Sequence, residues 1–193
     1  MGNEKPRILA FAGSLRKGSL NKKALAAAVA LGRDVCDFTV VDLAAYAMPV
    51  YDGDLEERDG VPEPARRFKA LMKSHEGFLI STPEYNSSIP GAFKNVIDWA
   101  SRPEEGEKSL ECFGGKTAAV MSASPGALGG LRSLVALRAL LEHLGTLVVT
   151  QQFAVSKAHE AFNEDGTFKD AKAAQIVKGI TARLAAVVVK LRS

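Results

Sequence analysis

Three short stretches of this chain gather the residue types that bind small ligands. The first is Gly13-Ser14-Leu15-Arg16-Lys17-Gly18-Ser19-Leu20-Asn21. Its glycines let a ligand approach the backbone closely. Ser14, Ser19 and Asn21 offer small hydrogen-bonding side chains, and Arg16 offers a planar fork of donors. The stretch leads into a helical pattern, and a helix N-terminus adds free N–H groups and a dipole that favour an anion. The spacing of Gly13 and Gly18 imitates a nucleotide P-loop, but Ser19-Leu20 stands where Lys-Ser/Thr is required, so the lysine that neutralises a polyphosphate is missing. The dinucleotide pattern GxGxxG is missing as well. A single phosphate monoester suits this loop better than either. The competing reading is that Ser19 only caps the helix, but capping alone requires neither Arg16 nor two glycines.

The second stretch, Thr82-Pro83-Glu84-Tyr85-Asn86-Ser87-Ser88-Ile89-Pro90-Gly91, places one aromatic residue, Tyr85, in polar backbone flanked by prolines. Such a turn can aim N–H groups at a flat heterocycle while a ring packs nearby. The plain alternative is a helix lead-in with Tyr85 on the surface. The third, Ser122-Ala123-Ser124-Pro125-Gly126-Ala127-Leu128-Gly129-Gly130, is rich in small residues. It leaves room for the edge of a broad planar ligand, or it is simply a strand-to-helix turn. Taken together, the three point to one ligand with a phosphate at one end and a planar ring at the other.

The elements that position these stretches alternate between short apolar runs and helical spacing. Strands are predicted over 7–12, 37–42, 77–82, 116–121 and 147–150. Helices are predicted where Leu20, Ala24, Ala28 and Leu31 share a face, from Pro62 with Ala65, Phe68 and Met72, and from Pro90 in a first turn to about Ser101. Two more follow over 129–143, faced by Leu131, Leu134, Val135 and Leu141, and over 169–191, faced by Val177, Ile180, Leu184, Val187 and Leu191. Residues 43–61 and 103–115 read as loops, the first a long surface loop. This alternation, with near-continuous apolar strands, is the pattern of a parallel sheet covered by helices on both faces, a three-layer α/β sandwich. In such sheets ligands bind beyond the carboxyl ends of the strands.

Composition narrows the function classes. The 193 residues carry 25 Lys+Arg against 22 Asp+Glu, a formal +3, with 47% hydrophobic and 24% charged residues. That is ordinary for a folded chain and too apolar for a disordered one. At roughly 150 residues per domain, one domain over 1–193 is expected. No apolar run approaches the ~18 residues of a membrane span, and no basic cluster marks a nucleic-acid surface. The first residues lack the pattern of a secretory leader or a myristoylation signal, so a soluble cytoplasmic protein is expected. Cys36 and Cys112 cannot build a disulfide framework or a four-thiolate zinc site and read as packing or surface thiols. His75, His143 and His159 are scattered without a ligating pattern and read as structural or surface. Trp99, on a helix with Val96 and Ile97, reads as core. No side chain is placed to act as a nucleophile.

Gly13-Ser-Leu-Arg-Lys-Gly-Ser-Leu-Asn21, with Pro83-Glu-Tyr-Asn86, Pro90-Gly91, Lys94-Asn95 and Asp98-Trp99, resembles the NADPH-dependent FMN reductase family, in particular its chromate- and quinone-reducing bacterial members. The similarity runs in order over nearly the whole chain. The resemblance implies a flavodoxin-like fold with a five-stranded parallel sheet in the order 2-1-3-4-5, and a tightly held FMN. It implies that Ser14, Arg16, Ser19, Leu20 and Asn21 bind at the FMN phosphate. It further implies that Pro83, Glu84, Tyr85 and Asn86 line the isoalloxazine, largely through backbone groups, and that Ser122, Ala123, Ser124 and Gly126 close its other edge. NADPH or NADH would deliver a hydride to flavin N5. A small-molecule acceptor would then take its place: a quinone, a free flavin, an azo compound or an oxyanion such as chromate. The resemblance also implies a homodimer or homotetramer, with the flavin near the subunit boundary, the loop around Tyr51 close by and Arg102 at the interface. Two other roles share the fold: a flavodoxin-type electron carrier, which charge steering would make strongly acidic, and a non-catalytic flavin-binding regulatory module.

Overall fold

The computed structural model describes residues 4–192; residues 1–3, part of the stretch read above as lacking a leader, and residue 193 lie outside them. Five strands, β1 (Arg7–Ala12), β2 (Asp37–Asp42), β3 (Gly77–Ser81), β4 (Thr117–Ala123) and β5 (Leu147–Val155), form one parallel sheet in the order β2-β1-β3-β4-β5. The chain therefore moves outward to one side from β1 and to the other from β3, and the strand order reverses between these two. Among the described residues no helix is long and apolar enough to cross a membrane.

Helices α1 (Leu20–Gly32) and α6 (Ala171–Leu191) cover one face of the sheet. On the other lie α3 (Glu63–Ser74), α4 (Gly91–Ala100) and α5 (Leu131–His143). Burial on both faces explains the unbroken apolar runs of β1, β3 and β4, in which side chains alternate between the two cores. Each Leu, Ile or Phe so buried contributes about 1.5–3 kcal/mol. The register sets Ala12 beside both Asp42 and Ser81, and Ser81 beside Met121. The carboxyl ends of the central strands thus finish nearly level, so the three ligand-type stretches leave from one edge.

Several expectations need correction. Residues 43–61 are not one irregular loop: they hold a 3₁₀ turn, Leu43–Tyr46, and a short helix, α2 (Gly53–Asp59). Asp42 and Asp52 each accept an N–H from the turn that follows, and Gly60 at φ 74° ends α2. No residue of α2 is buried, so apolar periodicity could not reveal it. β2 is an edge strand with exposed residues, among them Val40, and not a doubly buried run. β5 continues to Val155, five residues past the predicted stop, after a shift of register between Ala118 and Val120. β4 likewise runs on to Ala123, and Pro90 stands just ahead of α4 instead of within its first turn. In α5 the buried stripe is Leu134, Leu137 and Leu141, while Leu131 and Val135 face solvent. In α6 Val188 is buried and Leu191 is exposed.

Candidate active site

The loop after β1 begins with Gly13, whose N–H continues the ladder to the Ser81 carbonyl at 2.9 Å. A Cβ here would stand 2.7 Å from the Phe93 ring, so glycine is what lets α4 approach this close. Ser14 and Ser19 are buried, whereas Leu15, Arg16, Lys17 and Gly18 are exposed. The Ser14 hydroxyl oxygen accepts from the Arg16 N–H at 3.4 Å. The Ser19 oxygen accepts from the N–H groups of Asn21 and Lys22, at 3.2 and 3.4 Å, and so caps α1. Both hydroxyl protons remain available as donors. The amides of Leu15, Lys17 and Gly18 meet no protein acceptor, and the Arg16 guanidinium has no ion-pair partner among the described residues. Such an excess of donors at a helix N-terminus fits a phosphate dianion. Ser19 therefore does cap the helix and still has a proton to offer.

Asn21 has a different part. Its side chain is 2% exposed. Its Oδ1 accepts from the Ala123 N–H and the Ser81 hydroxyl, both at 2.9 Å, and its Nδ2 donates to the Ala123 carbonyl at 2.8 Å. One amide thus latches the start of α1 to the ends of β3 and β4. It thereby ties the starts of the three loops together. Leu20, half-buried beside it, packs against the core under α1.

The second loop turns back on itself. The Tyr85 N–H donates to the Ser88 carbonyl at 2.9 Å, and the Ser88 N–H donates to Tyr85 at 3.1 Å. Asn86 and Ser87 between them have φ of 51° and 64°, a two-residue turn in left-handed backbone without a glycine. Strain of this kind, of order 1–3 kcal/mol per residue, concentrates where a loop must hold one shape. Tyr85 is 50% exposed and has no ring neighbour among the described residues. Pro83 and Glu84 are half-buried; Glu84 takes the Arg132 side chain at 2.6 Å and the Arg132 N–H at 3.1 Å, which ties this loop to the first turn of α5.

In the third loop Ser122 and Ala123 face inward. The Ser122 hydroxyl donates to the Gly129 carbonyl at 2.8 Å, and both backbone groups of Ala123 belong to Asn21. Gly129 is held at φ 62°, where a Cβ would strike the 154–156 backbone at 2.7–2.8 Å. Packing thus accounts for this glycine, as the strand-to-helix reading requires. Ser124, whose oxygen accepts from the Gly126 N–H at 3.2 Å, and the exposed residues 125–128 form the open rim.

A strap beside the site completes its surroundings. Asn95 holds both sides of Val50, accepting from the Tyr51 N–H at 2.8 Å and donating to the Pro49 carbonyl at 2.8 Å; the Trp99 indole N–H donates to that same carbonyl. Trp99 is core, as expected, and stands edge-on to Tyr51 with ring centroids 5.0 Å apart. Arg102 pairs with Glu56 at 2.8 Å and lies over the Tyr51 ring. Burial pulls the Glu56 pKa up, but the bonds from Arg102 and Tyr51 hold it below the usual carboxylate range. Cys36, Cys112 and His75 are buried. Burial pushes the thiols of Cys36 and Cys112 up to about 12 and about 11, and the His75 ring is held between the Leu71 carbonyl and the Thr39 hydroxyl. Sequence reasoning missed Ser81 and Arg132, because only the fold brings them to Asn21 and Glu84.

Residues 6–160 match the family described as NADPH-dependent FMN reductase. An NAD(P)H-dependent FMN reductase of Pseudomonas aeruginosa is 35% identical over 173 residues, 89% of each chain. A 2-hydroxy-1,4-benzoquinone reductase of a Burkholderia species is 37% identical over 145 residues, 75% of each chain. Among solved structures, the flavoenzyme NAD(P)H:(acceptor) oxidoreductase FerB of Paracoccus denitrificans superposes with a TM-score of 0.79 at 33% identity, covering 96% of this chain and 98% of that one.

Proposed function

The chain belongs to the NADPH-dependent FMN reductase family, with FMN as cofactor and NAD(P)H as donor, and from that premise we propose what it does with them. It passes electrons to small oxidised acceptors: quinones first, then free flavins, azo compounds and chromate-type oxyanions. FMN, when bound, would supply two-electron redox chemistry between NAD(P)H and the acceptor. The chain supplies grip, orientation and access.

The free donors between Ser14 and Ser19 carry this reading. The Arg16 guanidinium, the two serine hydroxyls and the amides of Leu15, Lys17 and Gly18 hold the phosphate, with Leu20 seating the helix behind them. Asn21 acts as the latch that keeps this cradle in line with the other loops. The strained turn at Pro83, Glu84, Tyr85 and Asn86 orients the ring, and Ser124 and Gly126 border its far edge, backed by Ser122 and Ala123. Because the rims of all three loops are open to solvent, nicotinamide and acceptor can reach the same face in turn. The whole chain acts as one flavodoxin-like unit in the cytoplasm, where reduced nicotinamides are made. It works as a homodimer or homotetramer, with Arg102 and the 49–51 strap at the boundary.

The test is steady-state oxidation of NADPH by the purified protein with 1,4-benzoquinone as acceptor. A yellow protein that gives parallel double-reciprocal lines supports the proposal. Absence of turnover, or intersecting lines, contradicts it. Light scattering during gel filtration checks the oligomer, and a monomer would remove that part.

A further inference from the structure

A cavity of about 270 Å³ opens at the amino-terminal edge of the sheet, at the opposite end of the strands from the flavin loops. Its walls are the first residues of β1 and β4, the end of α3, the turn at 114–115 and the last turn of α6. Four cations line it, Arg7, Lys73, Lys116 and Arg192, together with one carboxylate, Glu76. Two of the cations are matched. Arg192 reaches both oxygens of Glu76, which also accepts the Arg7 N–H at 2.9 Å, and Lys73 pairs with Glu107. The other two are not. Among the described residues the Arg7 guanidinium has no ion pair, and the Lys116 ammonium donates only to the carbonyls of His75 and Lys73, which leaves one of its three protons without an acceptor there. Burial pushes the Lys116 pKa down, as expected of a charge that lacks a counter-ion. Independently, Thr117 is 1% exposed, and its hydroxyl oxygen is buried without any hydrogen-bond partner. Buried hydroxyls without partners are rare because they are costly.

We propose that this cavity binds a tetrahedral oxyanion of the phosphate type, free or as a phosphomonoester, between the Arg7 guanidinium, the Lys116 ammonium and the Thr117 hydroxyl. Such a ligand supplies what all three groups lack, and Glu76 does not repel it strongly because Arg192 covers that carboxylate. The site is separate from the flavin cradle and does not depend on how that cradle is read.

The experiment is a titration of the FMN-saturated, nitrogen-15-labelled protein with inorganic phosphate or with glycerol 3-phosphate. Chloride keeps the ionic strength constant, and amide shifts are followed. The amides of Gly115, Lys116 and Thr117 are expected to move saturably. Those of residues 13–21 stay still and report the flavin cradle separately. Tighter binding of glycerol 3-phosphate assigns the site to a monoester, and tighter binding of phosphate to the free ion. Lys116→Met should weaken binding about tenfold and Thr117→Val about threefold. Arg7→Gln, at an exposed position, carries the same test should Lys116→Met fail to fold. Shifts that grow linearly to tens of millimolar with either ligand, or affinities unchanged in the variants, overturn the proposal.

Discussion

Two polar clusters of this protein look alike in composition and differ in how completely their bonds are made. Around Lys69 on α3, itself 1% exposed, three ammonium protons meet three acceptors: the Arg102 carbonyl at 2.7 Å, Glu104 at 3.2 Å and Glu107 at 2.6 Å. Glu107 in turn receives Lys73 and the Glu104 N–H. That cluster is closed, and it clips the 102–107 segment to α3. Between Gly13 and Ser19 the donors outnumber the acceptors. The Arg16 guanidinium, two hydroxyl protons and several amides have no partner among the described residues. Charge and burial alone would draw attention to Lys69. The count of unmade bonds points instead to the loop after β1, because a fold closes the polar groups it uses for itself.

Substitutions should separate the two. Asn21→Ala strands the Ser81 hydroxyl and both backbone groups of Ala123, so a loss of about 4 kcal/mol in urea unfolding is expected, with loss of flavin. An unchanged midpoint would mean that the latch is dispensable. Lys69→Met breaks the closed cluster and should cost about 3 kcal/mol while folded protein binds FMN normally. A flavin defect without a stability defect would reverse the assignment. Arg16→Ala should do the opposite, weakening FMN about thirtyfold, or about 2 kcal/mol, with the melting temperature unmoved. Acid sharpens the contrast further. Burial would raise the Glu107 pKa, but Lys69 and Lys73 outweigh it and bring it from 4.5 down to about 2. A depressed carboxylate contributes stability that is complete above 4.5 and is lost as pH falls through about 2. Unfolding free energy should therefore decline across that window, and Lys69→Met should flatten the decline. The smallest effect on the fold belongs to Tyr85→Ala: kcat/KM or FMN affinity changes, while stability stays within about 0.5 kcal/mol. Unfolding instead would make Tyr85 a packing residue.

The central strands and most helices were legible because burial on two faces writes long apolar runs and 3-4 spacing. What stayed hidden had other causes. α2 is held by the Asp52 cap, by Gly60 and by the bond that Glu56 accepts from Arg102, 46 positions away, so it carries no apolar period. Leu131 and Val135 fit a helical stripe as well as Leu137 does; only the direction in which α5 meets the sheet decides between them. At the site, residue types in the first loop were informative because its chemistry is local. Asn21 was legible as polar and adjacent, but its partner Ala123 lies 102 positions away, so its role as a latch was not. The closed cluster at Lys69 was hidden for the same reason: its carboxylates are 35 and 38 positions distant.

The most direct measurement compares FMN with riboflavin, which differs from it only by the phosphate, in fluorescence titrations of the flavin-stripped protein and its Arg16→Ala variant. FMN is expected to bind about a hundredfold tighter than riboflavin, and the variant should close most of that gap by weakening FMN alone. Equal affinities for the two flavins, or a gap that Arg16→Ala leaves intact, would contradict a phosphate cradle between β1 and α1.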